Sequence, residues 1–308
     1  VHRRPDGDGG HGMILVYGPG TDPSIQHLVA ALQAAAARYQ LLDMGDLDQA
    51  ALHIEVGPQG LHGVLTVDGQ QIALDAIRAI YVYPQLPAYV QSSRSRLALH
   101  QQLLAWLDMV PGVVVNRPAA LQANACKPWQ AQRIGEAGFL VPPMLVTSDE
   151  AEAYAFLQTH GLAVFESASG VHTTVSAQDG GWLAHMQHQA PLPSQFQAYV
   201  PGVDVRVHVI GQQVFAAKAR NGTIGSRQAY GSEAFVQAVA TSLPITVESQ
   251  CAAMSASMGL HVSGIDLRLC PDGEYVCFEV NSAPTYRDLE QQSGLLLTAA
   301  LAQLLMGL

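Results

Sequence analysis

Two runs in the last fifty residues constrain the fold more than anything else in the chain. Ser263-Gly264-Ile265-Asp266-Leu267-Arg268 and Cys277-Phe278-Glu279-Val280-Asn281-Ser282-Ala283-Pro284 carry strand-like patterning, and Pro271-Asp272-Gly273 lies between them. Period-two patterning separated by such a turn reads as an antiparallel hairpin. Glu279 and Asn281, two apart on one strand, then project from one face while Phe278 and Val280 face a core. If the hairpin forms, Asp266 lies on the same face as Glu279. Three hard oxygen donors without His or Cys suit Mg²⁺ and disfavour zinc. The residues alone also allow a plainer reading, in which this is the solvated face of an exposed sheet.

The same alternation recurs in Val203-Asp204-Val205-Arg206-Val207-His208-Val209-Ile210, so the second half of the chain reads as α+β. The first part reads as α/β: the run MILVYGPG from Met13 is a strand and turn, followed by helical spacing at Ile25, Leu28, Val29 and Leu32. Asp68-Gly69 signals a hairpin. A strand at 79–83, a helix over about 93–109 and the strand GVVVN follow. With 308 residues the chain exceeds what a single core usually organises. The expected division is a flexible tail at 1–12, an N-terminal α/β domain at 13–117, a central lid subdomain at 118–193 and a C-terminal subdomain at 194–308.

Composition excludes several classes. Hydrophobic residues make up 49% and charged residues 13%, far from a disordered chain, and a formal charge of −10 leaves no broad footprint for nucleic acid. No run reaches the roughly 18 apolar residues of a membrane helix. Four cysteines without a C-x-x-C pair read as reduced thiols of a cytoplasmic protein, with a Cys270–Cys277 bond across the turn as the alternative. His185 and His188 have metal-like spacing but fall in an expected loop or edge strand without further ligands, and Gly18-Pro19-Gly20 lacks the spacing of a dinucleotide fingerprint. Basic residues are 13 Arg and only two Lys, Lys127 and Lys218, so each lysine carries weight.

The runs GIDLRLCPDGEYVCFEVNSAPTY, FQAYVPGVDVRVHVIG and NACKPWQAQRIGEAGFLVPPMLVTSDEAEA resemble RimK-like ATP-grasp ligases, in the branch that includes microviridin-type peptide ligases. The resemblance spans roughly 116–305. It implies an ATP-grasp fold behind an N-terminal α/β domain, and ATP- and Mg²⁺-dependent joining of a carboxylate to an amine or hydroxyl, peptide substrates included, through an acyl phosphate. A homo-oligomer is compatible with it. Carried over residue by residue, Asp266, Glu279 and Asn281 match metal ligands. Lys127 matches a phosphate-binding lysine, while Gln197, Tyr199, Asp204 and Gly170 match nucleotide contacts. Arg206 matches the arginine near the transferring phosphate, and Arg220 matches a further phosphate arginine. Arg227 could match a substrate-side arginine, and Lys218 has no counterpart.

Two positions depart from the family pattern. Glu166 stands where the family has a phosphate-binding lysine, and Ala198 replaces a common hinge glutamate. Reversing a charge beside a polyanion motivates the alternative function, a catalytically impaired ATP-grasp protein that binds nucleotide, peptide or partner as a regulator.

Overall fold

A computed structural model describes residues 12–58, 60–166, 172–189, 191–220 and 237–308. They build two compact units. The first comprises β1 (Met13–Gly18), α1 (Pro23–Ala34), β2 (Tyr39–Asp43), β3 (Ala51–Gly57), β4 (Gly60–Val67), β5 (Gln70–Ala73), β6 (Ile77–Val82), α2 (Ala88–Gln91), α3 (Arg94–Leu107), β7 (Val113–Val115) and α4 (Pro118–Ala123).

Its parallel sheet has the order β2-β1-β6-β7. The two central strands are apolar nearly throughout because both faces of a parallel sheet are covered. Asp22 caps α1 by accepting the Ser24 and Ile25 amide hydrogens, and Pro23 supplies a preset first turn. The expected Asp68-Gly69 hairpin joins β4 to β5; φ is +50° at Asp68 and +75° at Gly69, the left-handed pair that a tight two-residue hairpin demands.

The second unit holds α5 (Lys127–Glu136), β8 (Met144–Thr147), α6 (Glu150–His160), β9 (Leu162–Glu166), β10 (His172–Ser176), α7 (Gly181–Gln189), β11 (Ser194–Ala198), β12 (Val203–Ile210), β13 (Gln213–Ala219), β14 (Ala238–Thr241), α8 (Ile245–Ser257), β15 (Val262–Leu269), β16 (Tyr275–Asn281) and α9 (Arg287–Ser293). One antiparallel sheet runs β10-β9-β11-β8, and α6 and α7 close its core around Leu157, Phe165, Trp182 and Phe196. The Trp182 and Phe196 rings meet edge to face at 5.7 Å. The other sheet runs β14-β13-β12-β15-β16, with α8 against β12 and β13.

Several expectations change on contact with the structure. β11 pairs with β8 and β9, so the lid sheet extends past 193 to Ala198. The terminal helix α10 (Leu297–Met306), expected with the C-terminal subdomain, packs on α1 and β6 of the first unit, burying Leu297, Leu301 and Leu305. His185 and His188 lie on α7, not in a loop or edge strand. The cysteines keep their leading reading as thiols, and only the alternative Cys270–Cys277 bond is overturned: all four are free, the register sets Cys277 opposite Leu267, and Cys270 lies at the turn where its amide reaches Glu274. No described helix is long and apolar enough to cross a membrane.

Candidate functional site

The site begins at the hairpin. Asp266 and Glu279 are direct partners in the β15–β16 register, and Gly264 is the partner of Asn281. Directly opposed residues share a face, so the two carboxylates and the amide stand together as the spacing predicts. A Cβ on Gly264 would fall 2.7 Å from Pro284 and 3.7 Å from His208 Nε2; only a glycine lets the loop after Asn281 fold back over the sheet. The Asn281 Oδ1 accepts the Ala283 amide hydrogen at 2.8 Å, which fixes the side chain and leaves that oxygen a second lone pair.

Arg206, on β12, forms an ion pair with Asp266 through its Nε. Lys127, the first residue of α5, pairs with Glu166 at the end of β9 and lies 3.9 Å from Glu279 Oε2. The residue that departs from the family pattern is thus the partner of the lysine that retains it. Lys127, Gln130, Ala131, Met144, Val164, Glu166, Gln195, Gln197, Phe278 and Glu279 line one cleft of about 430 Å³, open mouth included. Six of these ten residues are polar or charged, and Ala131, Met144, Val164 and Phe278 supply the apolar part of the wall.

Gln130 is a residue that sequence reasoning missed. Its Nε2 donates to the Val280 carbonyl at 2.5 Å, and its Oε1 accepts the Val280 amide hydrogen at 2.9 Å. The side-chain amide therefore pairs with edge strand β16 as another strand would, and it grips the residue between Glu279 and Asn281. Trp129 is 36% exposed beside the Arg133 guanidinium, and the buried face of α5 is Gln130 and Ile134.

The remaining assigned residues are less concentrated. Gln197 is buried in the cleft wall. Tyr199, just past β11, is partly exposed and does not line that cleft; its ring lies 6.0 Å from the Arg268 guanidinium. Asp204 faces Arg268, whose Nε lies 2.7 Å from its Oδ1 and whose Nη1 donates to the Val200 carbonyl. Arg220 follows the end of β13 and donates to Gln237 Oε1 at 2.7 Å. Lys218, one position along from Ala217, the register partner of Arg206, falls on the reverse face. Gly170 and Arg227 lie outside the described residues.

His208, two residues beyond Arg206, is fully buried, and neither ring nitrogen has a hydrogen-bond partner of good geometry. Burial, aided by the Arg206 charge and opposed by the Thr285 backbone, pushes its pKa down to about 3, so it is neutral at physiological pH. Among the described residues no three His, Cys, Asp or Glu side chains converge as a metal cage. The donor set is two carboxylates and one amide, a set of hard oxygens that fits Mg²⁺, and two of its members already hold organic cations.

Comparison with known proteins bears on the fold. Residues 159–305 match the model of the RimK-like ATP-grasp domain. N-acetylaspartylglutamate synthase A of Mus musculus is 27% identical over 67% of this chain, which spans only 57% of that protein. Among solved structures, the ATP-grasp ligase PsnB, complexed with a phosphomimetic variant of its minimal precursor, Mg and ADP, superposes with a TM-score of 0.76 at 25% identity, covering 96% of this chain and 97% of that one. The macrocyclase MdnC of Microcystis aeruginosa, bound to its precursor peptide, has the same fold, with a TM-score of 0.75 at 20% identity over 96% and 100% of the two chains. Residues 159–305 therefore match a RimK-like ATP-grasp domain, the chain has the fold of PsnB and MdnC, and PsnB, at 25% identity, is an ATP-grasp ligase, an enzyme.

Proposed function

We propose that this protein is an ATP- and Mg²⁺-dependent ligase that activates a carboxylate as an acyl phosphate and joins it to an amine or hydroxyl. The observation that carries the reading is the convergence of Lys127, Gln197 and Glu279 on one cleft, with Asp266 opposite Glu279 and Arg206 beside it. Gln197 and the apolar wall of Met144, Val164 and Phe278 receive the base, and Lys127 faces the phosphates. Asp266, Glu279 and Asn281 would hold the divalent ion, which when bound offsets charge on phosphoryl oxygens. Arg206 is placed to meet the charge that develops on the transferring group, where an aimed guanidinium is most effective. A peptide is the favoured substrate class, because PsnB and MdnC match over nearly the whole chain and both were solved with precursor peptides.

A second reading is favoured by one observation: Glu166 occupies Lys127 in the cleft. In that reading the protein binds nucleotide or peptide without turnover and acts as a regulator.

Thermal melting with Mg-nucleotides tests the first step. ATP with Mg²⁺ at a hundred times its Kd stabilises by about 2.7 kcal/mol. The shift is expected to require the divalent ion and to fall sharply in Glu279→Gln and Asn281→Ala, with apo melting nearly unchanged. Equal, metal-independent shifts in all three proteins would remove the assignment. Release of ADP that depends on an added peptide then separates the ligase from the regulator.

A further inference from the structure

We infer that Arg206 is the built-in counter-ion of the metal-binding carboxylates, and that a divalent ion must displace it from Asp266, handing the guanidinium to the incoming phosphates. The inference rests on the nucleotide and metal reading above, and it concerns the order in which charges change partners. Arg206 and Asp266 sit on sheet neighbours β12 and β15, and Glu279 is the register partner of Asp266 on β16, so the three form one row across a single face. Lys127 approaches the far end of that row at Glu279.

The charge count explains why an exchange is needed. Lys127 and Arg206 carry +2, and Glu166, Asp266 and Glu279 carry −3, so these five groups sum to −1. A polyphosphate entering alone meets net repulsion and two cations that are already engaged. A divalent ion taking the Asp266 and Glu279 oxygens turns the sum to +1. It competes for the same lone pairs that Arg206 uses, because a guanidinium and a hard metal ion both take carboxylate oxygens.

The contact is built to be released. The side chains of Arg206 and Asp266 keep 27% and 18% of their surface, so water can solvate each group as they part, unlike the sealed Asp204–Arg268 pair on the same sheet, whose arginine keeps 3%. Lys127 behaves differently: Glu166 gives it a second carboxylate, so loss of Glu279 to a metal ion leaves it tethered at the cleft wall. Metal uptake thus mobilises Arg206 while Lys127 stays in place.

The consequence runs against the usual effect of removing a site residue. Taking away the guanidinium should improve binding of the metal ion by itself. Titration of the nucleotide-free protein with Mn²⁺, followed by the loss of the free-ion spin-resonance signal, is expected to show Arg206→Met and Arg206→Gln binding at least fivefold more tightly than wild type, and Asp266→Asn more weakly. Near-UV circular dichroism verifies that each variant is folded, and two different replacements guard against one that is not. If both folded arginine variants bind Mn²⁺ no better than wild type, while ATP still draws Mn²⁺ to the wild-type protein, the exchange is wrong and the metal site stands. If Mn²⁺ binds none of the proteins even with ATP present, the metal reading fails and the exchange falls with it.

Discussion

Replacing Glu166 with lysine reverses a charge on the wall of the candidate nucleotide cleft, and the structure gives the size and sign of what should follow. Glu166 pairs with Lys127, and both line the cleft with Glu279. An incoming triphosphate therefore meets one carboxylate that repels it and one lysine already engaged. At about 4 Å and an effective dielectric near 20, each unit-charge contact is worth about 4 kcal/mol before screening. The side chains of Lys127 and Glu166 retain 36% and 20% of their surface, so solvent and Mg²⁺ remove most of that. A tenfold gain in Mg-ATP affinity, about 1.4 kcal/mol, is the expected floor for Glu166→Lys. Glu166→Gln, which frees Lys127 without adding a cation, should fall between. The apo protein should change the other way, because the substitution breaks an ion pair and sets two lysines side by side, so nucleotide-free melting should fall. Calorimetric titration with ATP and with adenosine reads the affinities and a melting scan of the nucleotide-free proteins reads the stability; adenosine, lacking phosphate, should bind all three proteins alike. Unchanged or weaker ATP binding by Glu166→Lys would mean that the phosphates do not pass this wall, and the proposed orientation of the nucleotide would fall.

Two further outcomes are expected. His208 titrates near 3 when folded and near 6.5 when unfolded, so between those values the unfolded chain holds the extra proton and stability falls as pH falls, by up to about 1.4 kcal/mol per unit; urea unfolding at pH 4.5 and 7 should show a smaller difference in His208→Gln, and an identical difference would place the acid sensitivity elsewhere. Arg268→Met removes the guanidinium that faces the nearly buried Asp204 and frees the Val200 carbonyl, which should cost about 3–5 kcal/mol in urea unfolding, and a loss under about 1 kcal/mol would show the pair to be dispensable.

Much of the site was legible because its residues lie on strands with period-two patterning. Glu279 and Asn281 had to share a face, and the Pro271-Asp272-Gly273 turn brought Asp266 level with Glu279. The parallel sheet of the first unit and its Asp68-Gly69 hairpin were readable for the same local reasons. What escaped is tertiary. Gln130 looks like any polar helix residue, and nothing in its neighbourhood announces that its amide will meet Val280, 150 positions away. Nothing local to Arg268 tells that it is buried over the Phe278 ring at 5.4 Å and faces Asp204. Glu166 stood out only as a departure from the family pattern, and its lysine partner lies 39 positions earlier. His185 and His188 were misplaced because Gly180-Gly181 suggests a loop, although the segment continues as helix α7 with Trp182 and Met186 turned into the lid core.

The position of α10 has a consequence for the order of events during synthesis. α1 and β6 are made well before the helix they rest against, which is formed by residues 297–306. The whole of the other unit, residues 124–258 and 263–295, is made in between. Until the last turns emerge, Leu297, Leu301 and Leu305 are missing from their contacts, and the apolar surface they cover on α1 and β6 is open to any other hydrophobic segment nearby. The layer built on α1 and β6 is thus completed by a helix translated long after it, and removing those ten residues would damage a layer far upstream of them in the chain.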